Sequence, residues 1–254
     1  MKRNIGIAEL ALTVGLMFGG ASATVAGVVY NNYANDQRVN FDATGSRVGD
    51  EVVITGTSPA LPMVQLSQFQ FDVFAQNFTG NPIFDADVQF YANDGPLIGS
   101  VRAPGTMIWD SGVFPIRIEK KDGSAVVPQD TTYYNIQFDA DFITNPGIVP
   151  SNFTWTVEFS NPSGTLGLRL FSPPTVGGNY PDYWLGTPSH GTNIWTLNTN
   201  NNPNIAMSFA AEFQGTAVIV PEPSSIAMSA CVVLGISGYV VRRRQLRAKG
   251  VTPA

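Results

Sequence analysis

The sequence predicts an all-β fold, an antiparallel β-sandwich or jelly-roll-like domain, and three observations predict it. About ten short runs rich in β-branched and aromatic residues are punctuated by Gly, Pro, Asn and Asp. Several of these runs alternate with a period of two, as a sheet with one buried face requires. Strand–helix alternation is missing, which argues against a parallel α/β fold.

The elements follow in chain order. Residues 51–55 (Glu-Val-Val-Ile-Thr) read as a strand after a Gly49-Asp50 turn. In 64–75, Phe69, Phe71 and Val73 fall on one face, with Gln68, Gln70 and Asp72 on the other. The run 83–91 ends at Asn93-Asp94-Gly95-Pro96, a strong turn signal. Further strands are expected at 107–109, 113–119 and 133–138. In 153–160, Phe153, Trp155, Val157 and Phe159 alternate with Thr154, Thr156 and Glu158. Runs at 166–171, 194–197 and 205–213 complete the set, with loops expected at 173–192 and 198–204.

Charge and cysteine content narrow the function classes. Between Thr24 and Pro221 there are 7 Lys and Arg against 17 Asp and Glu, a net charge of −10 where the whole chain carries −5. Such a surface repels phosphate backbones, so nucleic-acid binding is disfavoured. Cys231 is the only cysteine and lies near the C-terminus, so the ectodomain has no disulfide and must rely on its hydrophobic core.

Three constellations offer chemistry. His190 is the single histidine, and no nucleophile elbow surrounds any serine, so neither a Ser-His-Asp hydrolase nor a zinc site is indicated. Asp85 and Asp87 sit two apart on one predicted strand, and Asp139 and Asp141 repeat the spacing. Carboxylates on one strand face suit calcium, while solvated faces explain the same pattern without any metal. A glycosidase would need two carboxylates across a cleft, which spacing along the chain does not establish. Tyr180, Tyr183 and Trp184 lie in the expected 173–192 loop and form a candidate glycan-stacking platform, whereas Trp155 and Trp195 are expected to fill the core.

The two ends read as addresses. Lys2 and Arg3 precede an apolar run over 5–20, and Ala21-Ser22-Ala23 supplies the small-residue pattern of a signal peptide spanning 1–23. Cleavage is expected after Ala23, with Ala26 as the second choice. At the other end Val220, Pro221, Glu222, Pro223 and Ser224 lead into an uncharged apolar segment, 226–241, closed by Arg242, Arg243 and Arg244. Sixteen helical residues would span roughly 24 Å, slightly short of the ~30 Å hydrocarbon core. The basic flank should stay cytoplasmic, which places everything between the two apolar segments outside.

This three-part ending resembles the PEP-CTERM sorting signal of Gram-negative bacterial exported proteins. The resemblance covers 218–247: motif 220–225, transmembrane helix 226–241 and basic stop 242–247. It leaves 248–254 as a short cytoplasmic tail; the whole ending from Gln245 to Ala254 is longer than the few basic residues that usually finish such proteins. In that family an exosortase, a membrane protease-transpeptidase, reads the signal, and the proteins accompany extracellular polysaccharide production. The resemblance therefore implies export through the Sec translocon, an inner-membrane stage, exosortase processing and then a cell-surface or extracellular location. It also implies a link to exopolysaccharide and biofilm. The residues themselves, with no catalytic motif in the domain at 24–217, point to a non-enzymatic surface or matrix protein that needs no cofactor unless calcium. A lectin-like carbohydrate-binding module is the alternative, and an exported hydrolase the third reading.

Overall fold

The computed structural model describes residues 26–55, 63–78, 83–117, 131–143, 147–160, 164–189, 192–200 and 202–218. The expected signal peptide, the sorting motif, the 226–241 helix, the arginine stop and His190 lie outside the described residues. Sixteen strands and no helix occur within them. In order they are β1 (Gly27–Asn31), β2 (Asp36–Asp42), β3 (Arg47–Val53), β4 (Met63–Gln76), β5 (Ile83–Ala92), β6 (Leu97–Ile98), β7 (Val101–Arg102) and β8 (Met107–Arg117). The second half comprises β9 (Thr132–Asp139), β10 (Ile148–Pro150), β11 (Asn152–Ser160), β12 (Thr165–Phe171), β13 (Gly178–Asn179), β14 (Asp182–Ser189), β15 (Thr192–Thr199) and β16 (Ala211–Val218).

Two antiparallel seven-stranded sheets carry the fold. The first runs β1-β16-β4-β12-β2, with β9 and β10 on the opposite edge of β4. The second runs β15-β14-β3-β11-β5-β8, with β13 also paired to β3. From β2 to β5 the chain changes sheet at every strand. Most ladders therefore join segments far apart in sequence.

Alternation explains which side of each strand faces inward. In β11, Phe153, Trp155, Val157 and Phe159 are all fully buried, as expected from their period. Strand β4 keeps the expected alternation from Gln68 to Val73, but buries Val64 and Leu66 upstream, which are out of phase with Phe69 and Phe71. A bulge reconciles the two halves: Gln214 pairs with Gln68 while Gly215 pairs with Leu66, which leaves Ser67 unpaired.

The inward faces meet in an aromatic seam centred on Phe69. Its ring contacts Phe213 (4.5 Å between centroids), Phe71 (5.5 Å) and Phe138 (6.1 Å) in its own sheet. Across the interface it meets Phe90 (5.2 Å) and Trp155 (5.3 Å) edge-on. Such pairs add about 0.5–1.5 kcal/mol each beyond the area they bury.

Several local expectations are revised. Gly49 and Asp50 do not form a turn; both lie inside β3, where Gly49 lets the backbone close to 2.7 Å between a hypothetical Cβ and Thr156 Cγ2. Residues 107–109 and 113–117 belong to the single strand β8, bent by a bulge at Ser111-Gly112, where Gly112 takes φ +64° and the Ser111 hydroxyl accepts from Val88 N; the rest of the expected 113–119 strand lies outside the described residues. The expected 173–192 loop instead contains β14, and β1 and β2 were not foreseen.

Replacing Phe69 with alanine should cost roughly 3–5 kcal/mol in urea-unfolding stability, because the seam cannot close over the cavity. Ile194→Ala, at a position 60% exposed, should stay within about 0.5 kcal/mol. Equal losses in the two variants would contradict the central place given to the seam.

Candidate functional site

The outer face of the second sheet is where the outward residues of β3, β5 and β11 come together. Glu158 pairs across the ladders with both Arg47 and Asp87, and Thr156 with Gln89. Burying the aromatic face of β11 therefore forces these polar side chains onto one outer surface.

Arg47 organises that surface, although it is almost completely buried, its side chain only 5% exposed. One Nη2 lies 2.6 Å from Asp87 and 2.9 Å from Glu158, Nε donates to Glu158 at 3.1 Å, and Nη1 donates to the Thr156 hydroxyl at 3.2 Å. Gln89 extends the network: its amide donates to Asp87 at 3.1 Å and Asp110 at 3.0 Å, while its oxygen accepts from the Tyr91 hydroxyl. Burial pushes the Asp87 carboxyl up, the adjacent Arg47 guanidinium pulls it back, and nearby Asp110 adds to the rise.

Two walls turn this face into an open cleft of about 860 Å³. One wall is the 93–106 segment carrying β6 and β7. Asp94 pins it by accepting from Thr106 N and Thr106 Oγ1, both at 2.7 Å, and these bonds hold its carboxyl below the usual range. A backbone bond from Gly95 N to Ala103 O closes the segment on itself, and bonds from Gly105 N to Ala92 O and from Ala92 N to Thr106 O tie it back to β5. The other wall is the β14–β15 hairpin, which contributes Asn193, Ile194 and Trp195. Trp195 lies across Gly186, where a Cβ would sit 2.8 Å from the indole, and its ring meets Tyr91 edge-on at 5.3 Å.

The expected candidates fare differently. Trp195 is part-exposed in the cleft and does not fill the core, whereas Trp155 is fully buried as expected. Tyr180, Tyr183 and Trp184 do not make one platform. Tyr183 and Trp184 are neighbours in β14, so their side chains project to opposite faces. Trp184 is 0% exposed and has no free ring face, Tyr183 packs on Phe41 at 4.9 Å, and only Tyr180 is exposed.

Asp85 and Asp87 share the outer face of β5, where Asp87 is committed to Arg47. Asp139 ends β9 in the other sheet and accepts from Gln68 and Gln137, while Asp141 sits beyond it in a turn rather than on a strand. The two aspartate pairs are thus not brought together, and no group of three His, Cys, Asp or Glu suited to a metal occurs among the described residues.

One buried carboxylate sits where the sequence predicts a turn. Asp50 is fully buried on the inward side of β3, accepting from Phe209 N at 3.0 Å and Ser208 Oγ at 3.2 Å. Ser208 in turn accepts from Asn32 and Asn179. The Oδ1 of Asp50 and the Tyr30 hydroxyl have no partner among the described residues. Burial raises the Asp50 carboxyl well above its ordinary value, outweighing both hydrogen bonds.

No protein-family model matches the sequence, and no curated protein and no solved structure is significantly similar to it. The described residues contain no helix long and apolar enough to cross a membrane.

Because the folded Asp50 binds its proton more tightly than the unfolded chain does, its contribution to stability is fully present below about pH 3.9, the unfolded value, and is lost as pH rises through the folded value. Asp50→Asn should therefore match the parent near pH 4 and exceed it in melting temperature at pH 7. Its stability–pH curve should lose a fall of at most about 1.4 kcal/mol per pH unit. A variant melting below the parent at pH 7 would contradict this assignment.

Proposed function

We propose that this chain is an exported, non-enzymatic surface or matrix protein, delivered by its N-terminal signal peptide and sorted through Val220–Ser224, the 226–241 helix and Arg242 to Arg244. The observation that carries the reading is how the domain's two ends meet. Strands β1 and β16 are antiparallel neighbours, with Gly27 opposite Gly215 and Val218 at the end of the last strand. Both flanking segments thus leave one pole of the domain. Two apolar segments can then enter the same membrane while the whole sandwich stays on one side of it. Cleavage after Ala23, or after Ala26, would leave β1 whole, since that strand starts at Gly27.

A second reading, a carbohydrate-binding module, is favoured by the cleft and not by Tyr180, Tyr183 and Trp184. Binding suits the cleft better than hydrolysis because its carboxylates are not paired across a gap. Asp87 and Glu158 hold Arg47, and Asp87 and Asp110 share one amide nitrogen of Gln89 rather than facing each other across a gap.

Replacing Glu222 with alanine, or deleting Arg242 to Arg244, should make a full-size precursor accumulate in the membrane fraction while the domain stays protease-resistant. An immunoblot of fractionated cells reads both quantities. Normal trimming in both variants would refute the sorting assignment.

A further inference from the structure

We propose that the cleft between the 93–106 wall and the β14–β15 hairpin holds a neutral pyranose unit of a polysaccharide, with Trp195 as its stacking wall and Asn193 and Glu158 as its hydrogen-bonding rim. The inference rests on the binding-module reading and adds where the sugar sits and which sugars qualify. A volume of about 860 Å³ falls within the ~300–1,000 Å³ usual for ligand sites.

The chemistry of the lining is two-sided. Trp195, Met107 and Ile194 supply its apolar part, the latter two 51% and 60% exposed on an otherwise acidic domain. Its polar part is the Asn193 amide, two residues before Trp195 on β15, and the part-exposed Glu158 carboxylate of the floor. A pyranose ring has the matching anatomy, a C–H face that packs on an indole and a rim of hydroxyls that donate and accept. The wall is preformed: Gly186 seats the indole and Asp94 fixes the facing segment. Little ordering remains to oppose binding.

Charge selects among sugars. Arg47 is the one cation among the residues lining the cleft and it binds two carboxylates, Asp87 and Glu158, so the site is formally negative. Each nitrogen of Arg47 already donates to Asp87, Glu158 or Thr156, and its single charge is met by two carboxylates, so the cleft offers no net positive charge to an acidic ligand. Uronate-containing and phosphate-bearing polymers are therefore repelled, nucleic acids among them.

The test uses the full chain in a zwitterionic, sugar-free detergent, applied to an array of glucan, mannan and galactan oligosaccharides beside alginate and polygalacturonate. Calorimetry then measures each ligand retained. Binding to neutral oligosaccharides is expected, weakened about tenfold or more by Trp195→Ala and less by Asn193→Ala, with Tyr180→Ala unchanged and all melting temperatures near the parent's. Should Trp195→Ala fail to fold, Asn193→Ala carries the test of location. Neutral binding untouched by both cleft variants would overturn the location. Retention of uronates in preference to neutral sugars would overturn the selectivity while leaving the binding-module reading intact. A parent chain that retains no oligosaccharide would overturn both.

Discussion

The ring of Phe69, packed between the two sheets against Phe213, Phe90 and Trp155, is the contact on which the rest of the structure depends. A domain without cysteine has no covalent tie across its layers, so the sheets must be joined by what they bury. Aromatic rings supply that junction and also fix register, because a one-residue slip of any strand would turn its aromatic set toward solvent. The outer faces inherit this order. Once Phe153, Trp155 and Val157 point inward, Thr154, Thr156 and Glu158 have to point out, and the cleft floor follows from the core.

An acidic domain with few cations uses them economically. Arg47 on one outer face is clamped by Asp87 and Glu158; Arg169 on the other lies between Asp36 at 2.8 Å and Asp72 at 3.0 Å. Arg169 also sits over the rings of Tyr133 and Phe171, at 4.4 and 4.9 Å. In both places the guanidinium ties neighbouring strands together across the sheet, since its partners come from different strands. The consequence for function is that Arg47 acts as part of the floor, its charge held by Asp87 and Glu158.

Period-two alternation made β11 and the middle of β4 legible, down to which side chains face inward. Fold class was legible too, from turn residues such as Asn93-Asp94-Gly95-Pro96. Pairing was not, because ladders such as β1–β16 and β2–β12 join distant parts of the chain and leave no local trace. Strand β2 hid because Asp36-Gln37-Arg38-Val39-Asn40-Phe41-Asp42 is mostly polar, and the first half of β3 hid behind a Gly-Asp pair that resembles a turn, while its second half reads as strand from Glu51. Strand β14 was obscured by the glycines and prolines around Tyr183 and Trp184. The cleft was the least legible feature: Arg47, Gln89, Tyr91, Glu158 and Trp195 come from four strands and converge only through the sheet order. A weak signal did exist in Gly186, a glycine within an aromatic run, which often marks close approach by a large ring.

Function as read here turns on delivery. The paired first and last strands send both flanking segments from one pole, an arrangement suited to a body held outside a membrane by either end. Mass spectrometry of the mature chain from its native host tests this most directly, since it reads both termini at once. The account predicts an N-terminus at Thr24, or at Gly27, and a C-terminus that lacks 226–254. An untrimmed polypeptide running from Met1 to Ala254 and recovered from the cytosol would contradict it.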